Sequence, residues 1–188
     1  MSGTFSVSQL RFALARQLGQ EMTPHAAATV LSIAVANPLP VPVLPEGAHG
    51  LDTSLDPRYF EFLNTVLEAS YDPLCSRVIA SVSEDGRIRA VIAYANPGRY
   101  GIEMAVASDG NGTWMTRAYL RAMFAYPFQQ LGLRRAETRT KSSNLHALQF
   151  IEKLGFRPEG VRRQAFGEDD AVLMGMLRRE CRWIKEST

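Results

Sequence analysis

Few residues in this chain have a type and spacing that points to chemistry without help from the fold. His25, His49 and His146 are scattered. They show none of the short intervals that bring imidazoles onto one ion, so each reads as a surface or capping histidine and no metal is expected. Cys75 and Cys181 are isolated, with no C-x-x-C pair, which points to a reduced protein without a disulfide framework. Glu103 lies in a β-rich run, residues 101–107, where the plain reading is a solvent-facing carboxylate or an ion-pair partner. Arg117, Arg121, Arg139 and Lys141 could meet an anion, with Arg117 and Lys141 the favoured pair. The most informative stretch is residues 142–163, SSNLHALQFIEKLGFRPEGVRR. Ser142, Ser143 and Asn144 are types that cap a helix start, and Leu145, Leu148, Ile151 and Leu154 recur at helical spacing. Gly155 supplies a left-handed stop, and Phe156 opens a strand.

The elements that must position these residues follow from periodicity. At 188 residues, 46% hydrophobic and 21% charged, the chain has the size and apolar content of one globular domain plus an extension. A formal net charge of +2, and basic residues that form no stripe interleaved with aromatics, argue against a nucleic-acid partner. No apolar run approaches the ~20 residues that span a bilayer, and the N-terminus lacks a signal-peptide succession, so a cytoplasmic protein without membrane contact is expected. Residues 1–70 read as a helical segment with a proline-rich connector. Helices are predicted over 6–19 and 23–36, and Pro38, Pro40, Pro42 and Pro45 then remove backbone donors every few residues. Asp56 and Pro57 open a further helix to about residue 69.

From residue 71 to the end the pattern is that of a second unit. Residues 77–82 and 87–95 form strands joined through Glu84-Asp85-Gly86-Arg87, where Asp-Gly asks for a two-residue type I′ turn. Residues 100–107 give a third antiparallel strand. A long helical pattern over 113–130 contains Pro127, which must leave the Met123 carbonyl without its usual donor and bend the last turn. Strands at 134–140, 156–165 and 171–177 complete an α/β arrangement with a mixed, mostly antiparallel sheet flanked by helices. Phe124, Phe128 and Phe156 are core at their spacing, and Trp183 packs the C-terminus.

The phrase N-x-x-A-x-x-F-I-E-K-L-G-F-x-x-E-G over residues 144–160, preceded by hairpin, loop, long helix and strand, resembles the GNAT superfamily of acetyl-CoA-dependent N-acetyltransferases. The flavour is that of its ribosomal-protein N-terminal acetyltransferases, and the resemblance spans residues 77–183. It implies a GNAT-like acyl-CoA N-acyltransferase domain over 71–188, an acetyl-CoA co-substrate and a primary amine acceptor: a protein N-terminus, a lysine or a small molecule. By the same resemblance Glu103 presents a carboxylate, or a water held by it, to the amine. Met104, Ala105 and Val106 pair with the pantetheine arm as an added strand, in a slot opened by splaying from residues 134–140, and a backbone N–H there stabilises the oxyanion. The pyrophosphate falls on Asn111, Gly112, Thr113, Trp114, Met115, Thr116 and Arg117, at the start of the long helix, and Asn144 bonds the cofactor arm.

Two features depart from the family pattern. Its phosphate loop carries small residues where this chain has Trp114 and Thr116, and its helix carries a proton-donating tyrosine where this chain has Ile151. These departures motivate an alternative, a catalytically weakened GNAT-fold module that binds acyl-CoA or a protein. The N-terminal helices suggest a further surface, for a homodimer.

Overall fold

The computed structural model describes residues 39–46 and 48–184. The two helices expected within residues 6–36 lie outside them. In chain order the elements are strand β1 Leu51–Asp52, helix α1 Pro57–Leu67, and strands β2 Arg77–Val82, β3 Ile88–Ala95 and β4 Gly101–Ser108. A 3₁₀ turn Gly112–Trp114, helix α2 Arg117–Ala125 and a π-helical turn Tyr126–Gln130 follow. Then come β5 Arg135–Lys141, α3 Leu145–Leu154, β6 Arg157–Phe166, β7 Asp169–Leu177 and a closing 3₁₀ turn Arg178–Glu180. The strands form one sheet in the order β1-β2-β3-β4-β5-β7-β6. Every neighbouring pair is antiparallel except β4 with β5.

Each face of the sheet carries its own apolar layer. On one, Tyr59, Phe60 and Leu63 of α1 cover Val78, Ala80, Val91, Ala93 and Ala107. On the other, α2 and the π turn bring Tyr119, Met123, Phe124, Tyr126 and Phe128 onto Ile79, Ile92, Ile102, Met104, Met174 and Met176, and Leu154 of α3 joins the same layer. The three phenylalanines and Trp183 sit as their spacing predicts. Trp183 stacks on Phe124 with centroids 6.4 Å apart and donates its indole N–H to the Leu154 carbonyl at 2.8 Å.

Local chemistry explains the helix ends. Asp56 caps α1 by accepting from the Arg58 N–H at 2.9 Å, Pro57 occupies a first-turn position, and Glu68 closes the helix in the left-handed region. Asn144 caps α3 through the Ala147 N–H at 3.0 Å, and Gly155 ends it at φ 115°.

Three expectations need correction, and the bend expected at Pro127 takes a definite form. The β2–β3 hairpin is present, but its loop is a three-residue one. The Gly86 N–H bonds the Ser83 carbonyl, the Ser83 N–H bonds the Arg87 carbonyl, and Gly86 alone has positive φ, so Asp85 never takes the left-handed state that type I′ requires. The long helix begins at Arg117 rather than Thr113, because Thr116 caps it by accepting from the Tyr119 N–H at 3.1 Å. Pro127 produces a π-helical turn, in which the Leu131 N–H reaches back to the Tyr126 carbonyl. An opening strand exists too: β1 pairs with β2 through Leu51 and Asp52.

The freed Met123 carbonyl is not left bare. The buried Tyr94 hydroxyl donates to it at 2.8 Å. Tyr119 likewise donates to the Ile79 carbonyl at 2.8 Å, and Tyr126 to the Pro40 carbonyl at 2.6 Å. That last bond ties the proline-rich connector to the core, and the Gln130 amide adds to it by bonding both N–H and C=O of Val43 at 2.8 and 2.7 Å.

Two outcomes follow. Tyr94→Phe strands a buried carbonyl and should cost about 1–3 kcal/mol in chemical denaturation. Burial raises the Tyr94 and Tyr119 hydroxyls well above their ordinary pKa of 10.0 and pushes Tyr71 and Tyr126 up to about 12. The folded chain therefore keeps protons that the unfolded chain releases near pH 10. Their stabilisation is intact below that pH and is lost as pH rises toward 12. Denaturant midpoints measured between pH 9 and 12 should fall steadily.

Candidate functional site

The central feature is the parting of β4 from β5. The two run parallel through three residue pairs, Gly101 with Arg135, Ile102 with Ala136 and Glu103 with Glu137. Beyond them β4 continues to Ser108 and pairs with β3 alone, while β5 continues to Lys141 and pairs with β7 alone. A slot thus opens between the strands, walled by the backbone edge of residues 104–108. Gly101 sits at the other end of the paired stretch, two residues before the split, where an added Cβ would fall 2.6 Å from the Arg135 Cγ. Only glycine lets the strands close at that point.

Glu103 lies at the last paired position, and alternation along β4 decides where it points. Ile102 and Met104 belong to the layer under α2, so Glu103 projects to the α1 face. There its carboxylate accepts from the Asn96 side-chain amide at 2.9 Å and faces the Arg139 Nε at 3.5 Å across the split. Its side chain is 13% exposed, against 42% for Arg139. Tyr71 completes the group. Its hydroxyl is raised to about 12, first by burial and then by the nearby charge of Glu103. Asn64 of α1 fixes Tyr71 by taking its N–H at 2.6 Å and donating to its carbonyl at 2.9 Å, so the loop after α1 is held as firmly as a strand pair.

The β4–α2 loop carries the remaining expected residues. Asn111 is exposed and caps the 3₁₀ turn through the Thr113 N–H at 3.4 Å. Gly112, Thr113, Met115 and Arg117 are exposed, and Thr116 is spent as the α2 cap. Helix geometry leaves the N–H groups of Arg117 and Ala118 without an intrahelical acceptor, a setting that favours an anion. Trp114 is different. It is buried between Tyr119 and Phe150, edge-on to both at 5.5 and 5.9 Å, and so bolts the loop to α3. Its side chain is committed to the core, leaving only its backbone to face a ligand.

Met104 is buried, Ala105 half-buried, and Val106 packs on the larger layer. Asn144 is exposed, its carbonyl oxygen taken by the α3 cap. Ser142 and Ser143 donate to Asp169, which lowers that carboxyl below the usual range. Ile151 packs against the core. Lys141 pairs with the Glu68 carboxylate at 3.1 Å on the α1 face. No group of three or more His, Cys, Asp or Glu side chains among the described residues could hold a metal.

No family model matches the chain, and no curated protein matches its sequence. Solved structures do match in fold. Spermidine N-acetyltransferase from Vibrio cholerae in complex with CoA and spermine superposes with a TM-score of 0.56 at 15% identity, over 70% of this chain and 97% of that one. Its dodecameric form in an intermediate state gives 0.58 at 16% identity, over 73% and 97%. The SpeG enzyme of the same organism with manganese ions gives 0.56 at 16%, over 68% and 91%.

The chain has the GNAT fold. Glu103 at the last paired position, the parted strands beyond it and the helix start that follows β4 succeed one another along the chain. Sequence reading missed Tyr71, Asn64, Asn96 and the reach of Arg139 to Glu103. Tyr71 lies in a stretch without periodicity, and the Asn64 clamp together with packing on the α1 layer holds it in place.

Trp114 gives a clean test of this geometry. Trp114→Ala removes the bolt between loop and α3 and should cost about 3–5 kcal/mol in thermal or chemical unfolding.

Proposed function

We propose that this chain is a cytoplasmic acetyl-CoA-dependent N-acetyltransferase that moves the acetyl group onto a primary amine. The observation that carries the proposal is the open edge of β4 beside a helix start, with a half-buried carboxylate at the closed end. An extended amide chain such as pantetheine can add to the free edge as a strand would. Its phosphates can meet the N–H groups of Arg117 and Ala118 and the Arg117 side chain. Met104, Ala105 and Val106 are the edge residues, residues 111–117 the anion-binding turn, and Asn144 a further contact through its free amide.

Glu103 is the proposed base. An amine of pKa about 10.4 is protonated at neutral pH and cannot attack a thioester until it loses a proton. Glu103 takes that proton, directly or through one water. The neutral nitrogen then adds to the acetyl carbonyl, and the backbone at the split stabilises the oxyanion. The tetrahedral adduct gives its second nitrogen-bound proton to water and collapses, the C–S bond breaking with departure of the coenzyme A thiolate. Ile151 supplies no proton, so the thiolate leaves unprotonated and takes its proton from solvent.

One of the structural neighbours, solved with CoA and spermine, supports this reading. Cys75 and Cys181 stand as free thiols, as a reducing cytoplasm requires. None of the described helices is long and apolar enough to cross a membrane. The finer alternatives, a ribosomal-protein N-terminus as acceptor and a homodimer as assembly, belong to the same proposal, and light scattering reads the second.

Calorimetry should show saturable acetyl-CoA binding. Glu103→Gln should lower kcat by about 10²–10⁴ while leaving that binding unchanged. Acetyl-CoA binding accompanied by coenzyme A release no faster than spontaneous hydrolysis, with every acceptor tried, would favour the binding-module reading, to which Trp114, Thr116 and Ile151 lean.

A further inference from the structure

The charges on the α1 face of the site come in pairs. Along β5, Arg135, Glu137, Arg139 and Lys141 occupy alternate positions, while the intervening Ala136 is buried in the opposite layer. Four ionised side chains therefore project from one side of a single strand, beside the slot. Arg139 faces Glu103 at 3.5 Å across the split, and Lys141 reaches Glu68 at the end of α1 at 3.1 Å. Arg135 bonds Glu159 at 2.6 Å and Glu137 at 3.3 Å. Four carboxylates, Glu68, Glu103, Glu137 and Glu159, thus meet three cations, Arg135, Arg139 and Lys141. The strip is within one charge of neutral.

That balance bears on what the strip can accept. A triamine such as spermidine carries about three positive charges at neutral pH, since unperturbed alkyl amines titrate near 10.4. Each ammonium leaving water needs a carboxylate to replace its hydration. Here each carboxylate already has a partner. A second or third ammonium would have to displace an arginine or lysine, leaving that cation unpaired beside a like charge. Exposed ion pairs are individually weak, so they are no lock. The net charge of the strip survives any rearrangement of the pairs, and it leaves room for one extra cation.

We propose, resting on the acetyl-transfer reading above, that the acceptor is a primary amine bearing a single positive charge, and that Arg139 enforces this by occupying the Glu103 carboxylate from the β5 side. Arg139 is then a specificity-determining residue: it supplies in place the positive charge that the rest of a polyamine would bring. The chain would differ here from its structural neighbours, which are spermidine and spermine N-acetyltransferases.

The test uses the purified full chain with acetyl-CoA and follows release of free thiol. Three acceptors are compared: the tripeptide Ala-Ala-Ala-amide, phenethylamine and spermidine. At least one monoamine should exceed spermidine in kcat/KM by on the order of tenfold, and which one leads separates a peptide N-terminus from a small amine. Arg139→Gln frees Glu103 and should narrow the monoamine-to-spermidine ratio by about tenfold. Lys141→Gln frees Glu68, which is not the proposed base, and should narrow it less; it also serves if the first variant folds poorly. Spermidine preferred by the wild-type chain, or a ratio that neither variant moves, would overturn the inference alone. Transfer to no acceptor at all would remove the acetyl-transfer reading and this inference with it.

Discussion

The structure depends on β5 having two partners that pull it in different directions. Over three residues it lies beside β4, and over its whole length it lies beside β7. Seven antiparallel pairs with β7, from Arg135 to Lys141, outweigh three parallel ones with β4, so as the sheet twists β5 follows β7 and leaves β4 behind. Strands that part in mid-sheet expose backbone groups, which ordinarily have to be satisfied. A fold that keeps such an edge has somewhere for an extended ligand to add.

What surrounds the edge makes it specific. The α2 layer is apolar and rigid: Trp114 clamps the loop to α3, and Tyr94 compensates the carbonyl that Pro127 frees. The α1 layer becomes polar where it meets β5, and there Glu103, Tyr71, Arg139 and Asn96 form a compact group. A thioester arriving along the edge would meet backbone and an apolar floor. An amine arriving from the α1 side would meet charge. The split is thus apolar on one face of the sheet and charged on the other.

The substitutions that set this chain apart from the family pattern have physical explanations. Thr116 stands where a small residue is usual, and its hydroxyl closes the first turn of α2. Trp114 adds a large buried ring where glycine would leave the loop unanchored. Both make the loop depend less on a ligand for its shape. Ile151, where the family pattern has a tyrosine, packs against the larger apolar layer.

Much of the frame was legible in the residues. Asp56-Pro57, Asn144 and Gly155 marked helix ends because capping is a local bargain between a side chain and its nearest backbone. Pro127 announced an unpaired Met123 carbonyl for the same reason. The type I′ turn was misread because Asp-Gly also suits a three-residue loop, and the choice rests on strand register rather than on the pair itself. The helix start at Arg117 was missed because 3₁₀ and α turns share the same short-range apolar spacing. Tyr71 with Glu103, Arg139 with Glu103, and Tyr94 with the Met123 carbonyl join residues 29 to 36 positions apart. By itself the sequence determined which segments are helix or strand and the resemblance that named a fold. The tertiary structure alone decided where β4 and β5 part and which charges meet there, because those depend on competition between strands for a shared neighbour, and no local pattern records that competition.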